Sequence, residues 1–280
     1  MSDEQLFYSI ISGLALVLIA YFGIQRWRLY NAEHRPIPEA WRKIIEQRLP
    51  PYRYLSSESQ RQLRQLVKMF IYHKEFIGCA GLAVTDEMRV TIAAEACLLL
   101  LNRTTNEYND LRWIYIYPSE FVARKEMEDE AGVISHNHVG LLGESWTNGR
   151  VILSWDHVEK GVGDFTDGHN VVLHEFAHQL DHEAGITDGT PILREKHAYK
   201  TWASVFAREF EVLQRQAEQG EHNVLDHYGA TNPAEFFAVA TETFFEKPQA
   251  MREQHAELYQ QLKNYYQLDP AQWVESKCAN

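Results

Sequence analysis

Val171-Val172-Leu173-His174-Glu175-Phe176-Ala177-His178-Gln179-Leu180-Asp181 carries the pattern His-Glu-x-x-His. On an α-helix a spacing of four places His174 and His178 on one face, one turn apart, where two imidazole nitrogens can grip a single metal ion. Glu175 lies beside that face, where a carboxylate can take a proton from an attacking water in metal-assisted hydrolysis. The intervening residues are apolar, as a buried helix requires. Asp167-Gly168-His169-Asn170 supplies polar helix-start residues and Gly185 a stop. The competing reading, two surface histidines on an amphipathic helix, fits this apolar setting less well. His182 continues the four-residue ladder, and we read it as solvated or supporting rather than as a ligand.

Zinc needs a third protein ligand, leaving a fourth position open. The metzincin continuation would require Gly and then His three and six residues after His178, but those positions hold Asp181 and Ala184. The ligand must therefore come from farther along the chain. Glu235 is the favoured residue, in Tyr228-Gly229-Ala230-Thr231-Asn232-Pro233-Ala234-Glu235-Phe236-Phe237-Ala238-Val239-Ala240-Thr241-Glu242-Thr243-Phe244-Phe245. Asn232 followed by Pro233 opens a helix, and a carboxylate in the first turn of such an apolar helix wants a partner. Its alternative role is a capping-type Glu stabilised by the helix dipole. Glu242, seven residues on, shares the face and stands as second choice of ligand or as a carboxylate behind the ligands.

These two segments, with Gly143-Glu144-Ser145-Trp146 and Val151-Ile152-Leu153-Ser154-Trp155 before them, resemble the Mlc titration factor A family of zinc metallopeptidases. The likeness runs from about Pro38 to Pro270. It implies an α+β, zincin-like domain of the gluzincin type, mainly helical with a small mixed sheet and akin to the catalytic domain of anthrax lethal factor. It further implies Zn²⁺ held by His174, His178 and Glu235, with Glu175 as base and the Tyr228 hydroxyl stabilising the oxyanion. Aminopeptidase-like action on small substrates, binding of the repressor Mlc, and a link to sugar-phosphotransferase genes are the activities and partners that go with the resemblance. The N-terminus departs from the usual soluble member.

The chain has 280 residues and a net charge of -12. That length buries one sizeable core, and that charge argues against direct binding to nucleic acid, which demands a basic surface. A link to transcription would then run through a protein partner. Cys79, Cys97 and Cys278 have no metal-like pairing; the first two read as buried small hydrophobes suited to a reducing compartment.

Leu6 to Ile24 is an uncharged run of about nineteen mostly apolar residues, roughly 28 Å as a helix and just long enough to cross a bilayer. Asp3 and Glu4, the overlong apolar stretch and the lack of a small-x-small site argue against a cleaved signal. A core helix is a second rival, though a span apolar on every face fits lipid better. Arg26, Arg28 and Arg35 follow the span, with Trp27 and Tyr30 at the expected interface. The positive-inside rule then puts the catalytic domain in the cytoplasm, anchored to the inner membrane; the alternative is a cytoplasmic protein. The expected organisation is an anchor over 1–30, a linker and short helix over 31–55, and a catalytic domain over 56–280.

Between these landmarks the pattern predicts helices over Glu39–Arg48, from Ser56 or Ser57 to about Lys74, and from Thr85 through Leu100. Strands are expected at Arg112–Tyr117, Phe121–Arg124, His138–Trp146 and Arg150–Trp155, with a hairpin turn at Thr147-Asn148-Gly149. Gly143–Trp146 is the candidate edge for binding an extended peptide, and His136 and His138 read as surface residues. A turn-rich loop over Gly185–Pro191, long helices over Leu193–Gln219 and Pro248–Tyr266, and a tail from Leu268 to Asn280 complete the chain.

Overall fold

The computed structural model describes residues 3–103, 108–119, 149–183 and 185–273. The chain divides into two units, residues 1–38 and 39–280.

The first unit is one helix, α1 (Asp3–His34). Its Gln5–Ile24 portion has a mean hydropathy of 2.1 and no buried residue, so by length and composition it can cross a membrane. Leu14, Leu16, Ile19 and Phe22 are all exposed.

In the second unit, α2 (Glu39–Arg48) runs as its sequence pattern predicts and gives way at Pro50 to a 3₁₀ turn. Ser56 caps α3 (Ser57–His73) by accepting from Ser59 N. Thr85 caps α4 (Asp86–Leu98) in the same way through Met88 N. Between them lies β1 (Glu75–Gly78), which pairs with β2 (Trp113–Tyr117), which pairs with β3 (Arg150–Ser154). Ile114, Ile116, Val151 and Leu153 form the buried face of these strands.

Both pairings are parallel, so the three strands correct the expected mixed sheet. The physical reason for the first pairing is the crossover: α4 carries the chain from the end of β1 back to the start of β2. The β1 strand escapes a sequence reading because four residues directly after a long helix show no alternation. Phe121–Arg124, His136, His138–Trp146 with its candidate edge, and Thr147-Asn148 lie outside the described residues.

The chain leaves β3 directly into α5 (Trp155–Gly163), a helix the strand-like reading of Trp155 hides. Next comes α6 (Val171–His182), with Asn170 as its cap. Phe176 anchors it, its ring 5.7 Å from Phe70 of α3 and 5.0 Å from Tyr108. The following helix, α7, begins at Ala198 and not Leu193, and runs to Gln219. Leu193 N is instead engaged by the Tyr199 hydroxyl, which holds the preceding segment off the helix. A 3₁₀ turn at His227–Ala230 leads to α8 (Pro233–Glu246), whose Asn232 cap accepts from Glu235 N. The expected last helix is two, α9 (Pro248–Gln254) and α10 (Ala256–Tyr266), broken at His255. His255 is clamped there between Glu209 at 2.8 Å and Asn223 at 3.0 Å.

The core sits where α6 and α8 meet. Phe236 and Phe237 of α8 pack on Trp202 and Phe206 of α7. Phe244 packs on Tyr259 and Tyr266 of α10. With apolar residues on all its sides, α8 is buried along its full length, which fixes the depth at which its carboxylates lie.

Candidate metal centre

Two helices with independent caps set the site. Asn170 Oδ1 accepts from Val172 N and Leu173 N, fixing the start of α6 and with it the rotation of His174 and His178. Asn232 and Pro233 fix the start of α8 one turn before Glu235.

The result is a triangle. His174 Nε2 lies 3.0 Å from Glu235 Oε2 and 3.2 Å from His178 Nε2, and His178 Nε2 lies 3.4 Å from Glu235 Oε2. Three donors on a tetrahedral ion with bonds of 2.0–2.1 Å stand about 3.3 Å apart, so the spacing fits one such ion. Among the described residues, His174, His178 and Glu235 form the one group able to hold a metal in this way.

The surroundings prepare these groups chemically. Burial pulls the His178 imidazole down to about 4, leaving it neutral at ordinary pH. Burial alone would raise the Glu235 carboxyl, but hydrogen bonds from His174 and His178 overcome it and bring it to about 2. His174 differs: burial opposes its charge, yet the Glu242 carboxylate and the hydrogen bonds to Glu235 and Glu242 hold it well above its ordinary value. An incoming metal must therefore expel a proton from His174.

Glu242 is not in the triangle. Its Oε1 meets His174 Nδ1 at 2.5 Å, the nitrogen facing away from the other two donors. A carboxylate on the far nitrogen fixes the ring's tautomer and orientation and raises its basicity. Glu242 thus stands behind His174 and outside the donor triangle. Glu242 Oε2 accepts from Asn170 N at 2.7 Å, and Asn170 Nδ2 donates to Glu95 Oε1 at 3.0 Å. In the sequence Glu95 shows only as a lone carboxylate amid the apolar residues of α4. Burial raises it to about 8.

Glu175 is buried, and its charge acts on both His174 and Tyr228. Tyr228 stands at the open side, 37 % exposed, with its ring 6.0 Å from that of His174. Burial and the charges of Glu235, Glu175 and Glu242 push its hydroxyl up to about 12, so it stays protonated at neutral pH and can donate a hydrogen bond. His182 lies apart from the triangle and meets Thr187 Oγ1 at 3.1 Å.

A second tie joins the two helices. Asp181, fully buried one turn after His178, accepts from Gly189 N at 2.7 Å. Gly189 O accepts from Trp202 Nε1 at 3.1 Å. Gly189 has φ +81°, and a Cβ there would lie 2.4 Å from Pro233 O, so only glycine lets this loop touch the first turn of α8.

A sequence model of the glucose-regulated metallopeptidases M90 matches residues 24–267. The chain belongs to the M90 metallopeptidase family. An uncharacterized protein of Synechocystis sp. is 41 % identical over 94 % of this chain and 96 % of its own length. The Mlc titration factor A of Klebsiella pneumoniae is 32 % identical over 81 % of this chain and 85 % of its own. That of Escherichia coli is 27 % identical over 88 % and 92 %. Membership of M90 implies a metal ion, and the triangle is where the donor chemistry and spacing accommodate one. Residues 1–23, which hold most of the apolar span, precede the M90 match.

Proposed function

We propose that this chain is a zinc-dependent peptidase whose metal is held by His174, His178 and Glu235. The observation that supports this most directly is the donor triangle, closed by residues from two separately capped helices. Two imidazoles and one carboxylate, with room for water, is the donor set of a hydrolytic zinc site. When bound, zinc supplies Lewis acidity to a peptide carbonyl and to water.

The chain's own residues supply the rest. Glu175 takes a proton from the attacking water and passes it to the leaving nitrogen. The Tyr228 hydroxyl, held protonated, donates a hydrogen bond to the carbonyl oxygen as negative charge develops on it. Glu242 keeps His174 turned toward the metal. The reading is tested by Glu235→Ala, which should lower zinc content; unchanged stoichiometry would return the ligand role to Glu242. An aminopeptidase-like preference is checked by comparing peptides with free and blocked N-termini; equal cleavage of both contradicts it.

A second reading is favoured by the name of the Klebsiella and Escherichia relatives, Mlc titration factor A: a binding module that sequesters a transcriptional repressor, an Mlc homologue, with proteolysis gated or secondary. Retained complementation of a deletion strain by Glu175→Gln selects sequestration, and lost complementation selects hydrolysis. Under either reading α1 anchors the chain. Its exposed apolar residues suit lipid, and Arg26, Arg28 and Arg35 after the span against Asp3 and Glu4 before it orient residues 39–280 to the cytoplasm.

A further inference from the structure

His255, at the break between α9 and α10, is 7 % exposed and lies outside the donor triangle. Both of its ring nitrogens face oxygen. Nδ1 stands 2.8 Å from Glu209 Oε2 of α7, and Nε2 stands 3.0 Å from Asn223 Oδ1 in the segment between α7 and the Tyr228 turn.

Neither oxygen can donate. Asn223 Oδ1 also accepts from Leu225 N at 2.8 Å, a backbone N–H that decides which end of the amide is oxygen, while Asn223 Nδ2 donates to Gln216 Oε1 at 2.6 Å. Glu209 Oε1 meets Arg208 Nη2 at 3.1 Å, and the hydrogen bond from His255 together with Arg208 holds the Glu209 carboxyl below its ordinary value against the opposing effect of burial. An acceptor at each nitrogen requires a proton on each, so the ring is an imidazolium. Of the charged groups nearby, Glu209 alone pairs with it among the described residues. Arg208 is shared between Glu209 and Glu257 of α10. Arg252 and Glu253 of α9 are exposed, as are Glu221 and His222 of the facing segment. Asp226 is turned to Tyr228 N and, at 3.8 Å, to His169 Nε2.

A proton lost from this ring breaks one of its two bonds. The remaining proton stays on Nδ1, where the carboxylate makes the bond charge-assisted, and Nε2 is left as a lone pair against Asn223 Oδ1. The tie that fails is therefore the one to the segment. That segment leads straight to the oxyanion donor of the peptidase reading. Asn223 closes a turn onto Leu225 N, and Asp226 Oδ1 accepts from Tyr228 N at 2.7 Å, starting the turn whose tyrosine ring stands 6.0 Å from that of His174.

We propose that His255 is a positioning residue for Tyr228: as an imidazolium it locks residues 223–228 to α7, and on losing its proton it releases them, so that the hydroxyl no longer keeps its place for the oxyanion. The catalytic half of this rests on the peptidase reading; the lock does not.

Hydrogen exchange of the full-length chain, followed over roughly pH 5–9 and corrected for intrinsic rates, tests the lock. In the wild type the amides of residues 223–230 should lose protection by about tenfold or more in a one-proton step. The step should vanish in His255→Gln, which has no ring proton to lose. It should move up by about 1 pH unit or more in Asn223→Asp, which sets a carboxylate opposite Nε2 and keeps the acceptor for Leu225 N. Peptide cleavage tests the consequence: kcat should fall across the same step with KM little changed, and the midpoint should move likewise in Asn223→Asp. His255→Gln should lower kcat in the wild type yet add almost nothing in Tyr228→Phe, because both act through one hydroxyl. No exchange step in the wild type, a step retained in His255→Gln or unmoved in Asn223→Asp, or an equal kcat loss in wild type and Tyr228→Phe would overturn the proposal. If His255→Gln does not fold, the wild type and Asn223→Asp still decide. Exchange steps as expected in a chain without peptidase activity would uphold the lock and overturn the positioning role together with the peptidase reading.

Discussion

Glu175 and Glu235 are both about 2 % exposed, and their neighbours assign them different tasks. Two imidazoles lower Glu235 to about 2, so it is an anion at any working pH and suited to ligation. Glu175 lies outside the donor triangle, with His174 and Tyr228 both in its field. Glu175→Gln is therefore expected to bind metal at wild-type stoichiometry while kcat falls by about 10²–10⁴-fold, the usual worth of a general base; metal analysis beside peptide cleavage measures both. For Glu242→Gln we expect metal affinity to drop by about 10–100-fold, as when a carboxylate behind a liganding histidine is removed, with chelator competition as the readout. A variant that binds as tightly as wild type would remove Glu242 from any orienting role. The shared face of His174 and His178 was legible because their spacing is local, and the place of Glu235 beside them because Asn232-Pro233 fixes its helical position. The role of Glu242 was not, since a seven-residue spacing shows a shared face but not which imidazole nitrogen is met. Glu95 lies 75 residues from Asn170, and no local pattern joins them.

The helices bearing the donors are held by their neighbours more than by their own propensity. Capping residues made the starts of α3, α4, α6 and α8 readable, whereas the start of α7 has no side-chain cap to mark it. The parallel pairing of β1, β2 and β3 was hidden for a related reason: partners come from stretches far apart in the chain. At this level the loop after α6 is the sensitive point. Gly189→Ala forces a methyl to within 2.4 Å of Pro233 O from a left-handed backbone. It is expected to destabilise the domain by about 1–3 kcal/mol and to weaken metal binding by shifting α8 against α6. Thermal unfolding with and without zinc reads both, and an unchanged midpoint would mean that the loop does not couple the helices. Phe176→Ala, which empties the space between α6, Phe70 and Tyr108, should cost about 3–5 kcal/mol.

Across the whole molecule, buried acids set a pH dependence. Burial raises Glu95 to about 8 and Glu246 to about 9, against an ordinary 4.5. Each folded value exceeds the unfolded one, so the stability they confer is complete below about 4.5 and is lost as pH rises through 8 and 9. His174 in the metal-free chain acts in the same direction. His178 and Glu235, both lowered, act oppositely: their contributions vanish as pH falls through about 4 and about 2. The melting temperature of metal-free protein should thus decline between pH 7 and 9.5, with a shallower decline in Glu95→Gln; parallel profiles would contradict the assignment. The exposed apolar span of α1 leads us to expect the full chain in the membrane fraction after alkaline carbonate washing, and release by that wash would show that α1 does not span the bilayer. The most direct measurement of all is an anomalous difference map recorded at the zinc absorption edge from crystals of the purified chain. The expected result is one zinc per chain, about 2.0–2.2 Å from Nε2 of His174, Nε2 of His178 and a carboxylate oxygen of Glu235; a zinc held by Glu242 in place of Glu235, or no zinc between the two histidines, would contradict it.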